Sequence, residues 1–209
     1  MPKVTAVLFD YGLVLSAPPD PTAWETFKQI LHADEPLFHA AYWNPRHDYD
    51  RGTLSGEAYW RKVANDLDRS LSIGELKQLI HADTILWTQP NQPMIAWAAA
   101  LQRAGIKTGI LSNLGDEMEA GILSRCPWLT GFSHHTFSHR LKIAKPEQAI
   151  YQHAIEGLQT PAAEILFIDD REDNIAAAHT AGMQVVQYTD HSAFLKTMHE
   201  QGHDDLLNI

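Results

Sequence analysis

A single cysteine, Cys126, stands in a chain of 209 residues, which excludes a disulfide within the chain and suits a reducing compartment. Basic residues are scarce as well. The 16 Lys and Arg face 26 Asp and Glu, for a formal net charge of −10. A nucleic-acid surface needs its cations concentrated, not outnumbered, so that class of partner is excluded. Long apolar runs are also missing. The longest, residues 94–101, is far short of the roughly 20 residues that span a bilayer. The apolar opening of the chain is broken by Asp10 and Gly12, too early for a signal peptide. These absences predict no membrane partner and, by default, a cytoplasmic location. They leave room for a small anionic ligand, because a few converging donors suffice to bind one.

What is present is an ordinary globular balance, 44% hydrophobic and 20% charged, in a chain long enough for one core and a second lobe. Residues 4–9 form a nearly continuous apolar run that stops abruptly at Asp10-Tyr11-Gly12. Runs of this kind read as strands buried on both faces of a parallel sheet. Further strands are predicted over 106–111, 132–137, 164–168 and 183–188, separated by helical patterns at 92–104, 115–125, 146–158, 173–181 and 190–201. The alternation predicts an α/β three-layer sandwich around a central parallel sheet. Residues 16–88 break the rhythm. After the stiff Pro18-Pro19-Asp20-Pro21 they carry only helical periods, over 22–31, 35–43, 55–67 and 72–83, with Ser55 and Ser72 poised as helix caps. The expected division is an α/β core of residues 1–15 and 89–209, with residues 16–88 inserted as a helical lobe.

Ligands of parallel α/β sheets sit at the carboxyl ends of the strands. Four polar clusters fall at such ends: Asp10-Tyr11-Gly12, Ser112-Asn113, Lys145-Pro146, and the acidic run Asp169-Asp170-Arg171-Glu172-Asp173-Asn174. Each alone would pass for a turn or a helix start. Together they suit one chemistry. Asp10 and Asp170 offer carboxylates to a hard divalent cation, and Mg²⁺ favours such oxygen ligands. A free Asp10 oxygen can attack a phosphoryl group in line. Ser112 supplies a hydroxyl and Lys145 a cation for the phosphoryl oxygens, where charge stabilisation is the main requirement.

In this order and spacing, Leu8-Phe9-Asp10-Tyr11-Gly12, Leu111-Ser112-Asn113, Lys145-Pro146 and Phe167-Ile168-Asp169-Asp170 with Asn174 resemble the four motifs of the haloacid dehalogenase superfamily. The resemblance implies a strand order five-four-one-two-three and a helical cap after the first strand. It makes Asp10 both nucleophile and metal ligand, adds Ser112, Asn113 and Lys145 as catalytic partners, and counts the Gly12 carbonyl and Asp170 as ligands of Mg²⁺. Asp169 would support the metal or bind it, and Asn174 stands where many members carry a further carboxylate. Most phosphatases of the superfamily have a second Asp two residues after the nucleophile. Gly12 occupies that position here, as in a subgroup that includes sugar-phosphate phosphatases and the phosphatase-like domains of larger proteins.

The function expected on these grounds is Mg²⁺-dependent hydrolysis of a small phosphorylated metabolite, sugar phosphates among them, through an aspartyl-phosphate intermediate. A 2-haloacid dehalogenase is the alternative enzyme, and a catalytically silent binding or interaction domain the alternative of another class. In the insert, residues 42–52 interleave aromatics, charges and breakers. Arg46, His47 and Tyr49 are the candidates there for choosing the leaving group, against a plain structural connection with Trp43 in the core of the lobe. Trp24, Trp60, Trp87 and Trp97 read as core residues. The 12 histidines invite a zinc site, but His134 and His135 face opposite sides of a strand, and His199 and His203 flank a Gly202 near the chain end.

Overall fold

The structure, a computed structural model, describes residues 2–209. Five parallel strands, β1 (Ala6–Phe9), β2 (Lys107–Ser112), β3 (His134–Phe137), β4 (Ile165–Asp169) and β5 (Gln184–Gln187), form one sheet in the order β3-β2-β1-β4-β5. This is the order implied by the resemblance. β1 lies at the centre, paired with β2 at Phe9↔Ile110 and with β4 at Phe9↔Ile168. Its apolar run is continuous because both faces are buried: Val7 and Phe9 enter one core, Ala6 and Leu8 the other. β4 repeats the division, with Leu166 and Ile168 on the first side and Ile165 and Phe167 on the second.

Helices cover both faces. α6 (Gln92–Arg103) and α11 (His191–Glu200) pack Met94, Trp97, Leu101, Phe194 and Met198 into the first core, together with Met118 and Ile122 of α7 (Asp116–Arg125). α9 (Gln148–Leu158) and α10 (Glu172–Thr180) close the second with Ile150, Tyr151, Ala154 and Ala178. Each fully buried Leu, Phe or Met of these layers is worth about 1.5–3 kcal/mol relative to exposure. The expected strand over 132–137 begins only at His134, since Pro127–Gly131 turns as a 3-10 helix that seats Leu129 and Phe132 in the core. At the other ends the ladder runs one residue further than expected, so Ser112 and Asp169 are strand residues, opposite Phe137 and Gln187.

Between β1 and α6 the chain forms α1 (Pro21–Leu31), α2 (Glu35–Trp43), α3 (Arg46–Arg51), α4 (Gly56–Asn65) and α5 (Ile73–Trp87). Their apolar faces build a separate aromatic-rich cluster around Phe27, Phe38, Tyr42, Tyr59 and Trp60. The ends are chemically marked. Asp20 accepts from Thr22 and Ala23 N–H with Pro21 beside it, and Ser72 and Glu75 form a reciprocal capping box. Such caps contribute about 1 kcal/mol each.

Two expectations fail in this region. Trp43 is not in the core but 43% exposed. Residues 46–51, read as a connection, form a helix because Arg46 and Asp50 pair at i,i+4 and Gly52 ends the turn at φ +82°. A Cβ on Gly52 would lie 2.5 Å from the His139 carbonyl oxygen, so α3 sits directly on α8 (Ser138–Leu141). α12 (Asp204–Leu207) completes the chain's helices. Among the described residues no helix is long and apolar enough to cross a membrane.

Candidate active site

The sheet's topology brings the four polar clusters to its carboxyl edge. Past Phe9 the backbone stays extended at Asp10, whose N–H donates to the Ile168 carbonyl at 2.8 Å and whose carboxylate accepts from Tyr11 N–H at 2.7 Å. The chain then makes a tight turn through Leu13, at φ +58°, and Ser16 N–H returns to the Tyr11 carbonyl at 2.8 Å. Asp10 is thereby fixed at the end of the central strand, beside the end of β4.

Lys145 reaches the same point from the loop before α9. Its ammonium lies 2.9 Å from Asp10 and 2.6 Å from Asp169. The amide of Asn113 holds the Lys145 backbone on both sides, accepting from its N–H at 2.8 Å and donating to its carbonyl at 3.0 Å. Asn113 is therefore a clamp on the loop that presents Lys145. Asp169 is fully buried, and both its oxygens are engaged: one by Lys145, the other by Arg171 N–H and the Asn174 amide, each at 2.9 Å. Asp170 is half-buried next to it, with its carboxylate less encumbered.

Charge sets the character of the cluster. Burial pushes the Asp10 carboxyl up to about 7; Lys145 opposes the rise, and Asp169 and Asp170 add to it. Burial likewise raises Asp170, helped by Asp169. Burial works against the Lys145 ammonium, but Asp10 and Asp169 outweigh it and raise its pKa. Three carboxylates against one ammonium leave a net charge of −2 when all are ionised. Oxygens of Asp10, Asp169 and Asp170 lie within 4.8 Å of one another, the only such metal-capable trio among the described residues. Hard oxygen donors with a −2 deficit fit one divalent cation. Asp169, with its oxygens taken, suits a supporting part, and Asp170 a direct one.

Above Asp10 opens a cavity of about 440 Å³, lined by Gly12, Ser112, Asn113, Lys145 and Asn174 below and by residues of the insert above. The Ser112 hydroxyl makes no hydrogen bond to a described residue, so it is available to a ligand. Gly12 has an ordinary φ of −64°, and a Cβ built on it meets nothing within 4 Å. The backbone does not require glycine there.

Of the insert's three candidates, Arg46 and His47 line the cavity and Tyr49 does not. Tyr49 is buried, stacks on Tyr59 at 4.7 Å, accepts from Met118 N–H through its hydroxyl, and lies where a Cβ on Gly115 would fall. It packs the insert against α7. His47 is exposed at the rim. Arg46 is buried, bonded to Asp50 at 2.9 Å, to Asp83 at 3.3 Å and to the Tyr42 hydroxyl. Burial lifts the Asp50 carboxyl to about 6 against the pull of Arg46. Of the paired histidines, His134 bonds Thr136, His135 the Leu129 carbonyl, and His199 Asp204. Cys126 is buried against the Tyr11 hydroxyl.

Sequence reasoning missed several lining residues: Trp43, Trp87, Leu114 and Met118 in the cavity wall, and Asp50 and Asp83 as the partners of Arg46. Asp83 carried a signal. It falls in the buried stripe of α5 with Leu76, Leu79 and Leu86, where a lone carboxylate demands a cation.

The fold and the acidic strand-end cluster define a parallel α/β protein with its ligand face at the carboxyl edge of the sheet and a helical insert over that face. The family model of the haloacid dehalogenase-like hydrolases matches residues 6–182, and the chain belongs to that family. Among curated proteins, bifunctional epoxide hydrolase 2 of Rattus norvegicus is 30% identical over 137 residues, which are 63% of this chain and 24% of that protein. The chain thus spans about a quarter of that relative's length. Among solved structures, the HAD family enzyme bt-2542 of Bacteroides thetaiotaomicron superposes with a TM-score of 0.77 at 22% identity, covering 92% of this chain and 98% of that one. A further structure of the same enzyme holds magnesium and inorganic phosphate. The L-2-haloacid dehalogenase of Xanthobacter autotrophicus gives 0.68 at 17% identity, covering 91% and 80%. At these identities the likeness is one of fold.

Proposed function

We propose that this chain is a Mg²⁺-dependent phosphomonoesterase of small phosphorylated metabolites, with residues 1–15 and 89–209 as catalytic core and 16–88 as cap. The observation that carries the reading is the trio Asp10, Asp169 and Asp170 around Lys145, with its −2 deficit. The magnesium and phosphate held by the Bacteroides enzyme support it. When bound, Mg²⁺ would supply charge neutralisation between the carboxylates and a phosphoryl oxygen, held by Asp10, Asp170 and the Gly12 carbonyl.

The chain's own groups do the rest. Asp10 attacks phosphorus with one carboxylate oxygen and displaces the alkoxide, and water then hydrolyses the aspartyl-phosphate. Lys145, kept cationic by Asp169, and the free Ser112 hydroxyl stabilise charge on the transferring oxygens. Asn113 holds the Lys145 loop in place, and Asn174 and Arg171 N–H hold Asp169. Gly12 offers no acid to the leaving group.

A 2-haloacid dehalogenase is the second reading, favoured by Gly12 and by the dehalogenase among the structural neighbours. It would use Asp10 on a carbon centre and needs no cation. The purified protein is assayed on phosphate esters and on 2-haloacids, with Mg²⁺ and with excess chelator. Ester hydrolysis that chelator abolishes is the expected result. Halide release that survives chelator sinks the phosphatase reading, and inactivity on both classes points to a silent domain.

The pH dependence of metal binding gives an independent test. Asp10 and Asp170 titrate above their unfolded values, so without metal their contribution to stability is greatest below about pH 4. It is lost as pH rises through about 7, the value to which Asp10 is pushed. A cation competes with those protons, so the rise in Tm on adding Mg²⁺ is expected to grow between pH 6 and 8. A Tm gain that is absent, or equal at both ends, would mean that these carboxylates do not hold the cation.

A further inference from the structure

Around the cavity, the Ser112 hydroxyl on its floor apart, most polar side chains already have partners. Arg46 is balanced by Asp50 and Asp83, and Arg171 by Asp173 at 2.8 Å. The amide of Asn113 is consumed by the Lys145 backbone, the Asn174 amide donates to Asp169, and the Trp87 indole N–H donates to the Tyr42 hydroxyl at 3.3 Å. The rest of the lining is apolar: Trp43 and Trp87 present open surface to the space, and Tyr11, Leu114 and Met118, packed in the core, show it only their edges. Trp43 is the telling member, a large side chain 43% exposed beside the cavity while the other aromatics of its helix are buried. Exposed apolar surface at a cavity mouth marks a binding surface. A polyhydroxylated leaving group would need free donors and acceptors in that wall, since a site that reads hydroxyls must hydrogen-bond them. Beyond the outer atoms of the Arg46–Asp50 and Arg171–Asp173 pairs, only His47, at the rim, is at hand for that.

We infer that the leaving group is apolar: the substrate is the phosphate monoester of a hydrophobic alcohol, whose hydrocarbon lies against Trp43, Trp87, Leu114 and Met118. The inference rests on the phosphomonoesterase reading and narrows its substrate class. The sugar phosphates admitted by the sequence become poor substrates.

The test is a series of n-alkyl phosphates from ethyl to octyl, assayed with Mg²⁺. The alkoxide pKa is nearly constant along the series, so kcat/KM reports the hydrocarbon alone. Burial of each methylene is worth roughly two- to fourfold, so the values climb until the wall is filled. Hexyl phosphate then exceeds a hexose 6-phosphate, also a primary-alcohol ester, by at least about tenfold. Trp43→Ala, at a half-exposed position that the fold tolerates, lowers the slope. A flat or falling series, or a hexose phosphate that matches hexyl phosphate, overturns the inference while leaving the phosphatase reading intact. Calorimetry with the matching n-alkylphosphonates separates the two claims. A Kd series that tightens with chain length in a protein that hydrolyses no ester would sink the phosphatase reading alone, and a flat series or no binding would sink the apolar wall.

Discussion

Asp10→Asn is expected to reduce phosphate-ester turnover by at least about 10⁴-fold, the order seen when a covalent nucleophile is removed, while the folded state survives. The amide is a poor nucleophile and a poor ligand for a hard cation. Its carbonyl oxygen can still accept from Tyr11 N–H, the bond that shapes the turn. Removing one partner of a buried ion pair usually costs about 3–5 kcal/mol, because the other charge is left alone. Here Lys145 retains Asp169 at 2.6 Å, so its ammonium keeps a counter-ion. The substitution also relieves the repulsion among three carboxylates. Metal-free Asp10→Asn should therefore melt within a few degrees of the parent at pH 8. The check is kcat on an aryl phosphate together with a thermal melt of both proteins. Turnover near the parental rate would remove Asp10 from the nucleophile's part, and a collapsed melt would mean that its charge is structural.

The separation of activity from stability expected at Asp10 reflects how the site was legible in the sequence. Strand β1 announces itself because both its faces are buried, leaving no polar residue until the chain exits the sheet. A carboxylate at that exit stands out against the run before it. The same contrast picks out Ser112 after β2's apolar stretch and Asp169-Asp170 after β4's. These are local signals, and they yield the strands and the polar edge, while the strand order follows from the resemblance to the superfamily's motifs. The cavity's upper wall depends on contacts that no local pattern records. Arg46 meets Asp83 across 37 positions, and Tyr49 fills the space over Gly115. Trp43 looks like a core residue because it follows Tyr42 in an apolar stretch. Helical geometry turns adjacent side chains about 100° apart, so Tyr42 enters the core and Trp43 the cavity. The short α3 escaped for the opposite reason, being held by ion pairs and a glycine stop with little apolar periodicity to reveal it.

Gly12→Asp is expected to flatten the dependence of kcat/KM on leaving-group pKa, accelerating alkyl esters by about 10²–10⁴-fold and aryl esters little. An acid beside the departing oxygen matters in proportion to how badly that oxygen needs a proton. An alkoxide needs one; a phenolate with a low pKa does not. The parent, with glycine at this position, should therefore show a steep series in which esters of good leaving groups dominate. The structure accommodates the change: Gly12 has an ordinary φ of −64°, lines the cavity, and leaves the space around a Cβ open for 4 Å. A fourth carboxylate among Asp10, Asp169 and Asp170 would be held above its usual pKa by like charge, which is the state a general acid requires at neutral pH. The same repulsion makes the metal-free variant less stable than the parent as pH rises, and Mg²⁺ should recover the difference. Aryl and alkyl phosphates spanning a wide range of leaving-group pKa, assayed on both proteins, decide the matter. If the parent's series is already flat, another group supplies the proton, and His47 at the rim is the side chain to substitute next. If the parent is steep and the variant equally so, the new carboxyl does not reach the leaving oxygen, and Gly12 is not where the missing acid would stand.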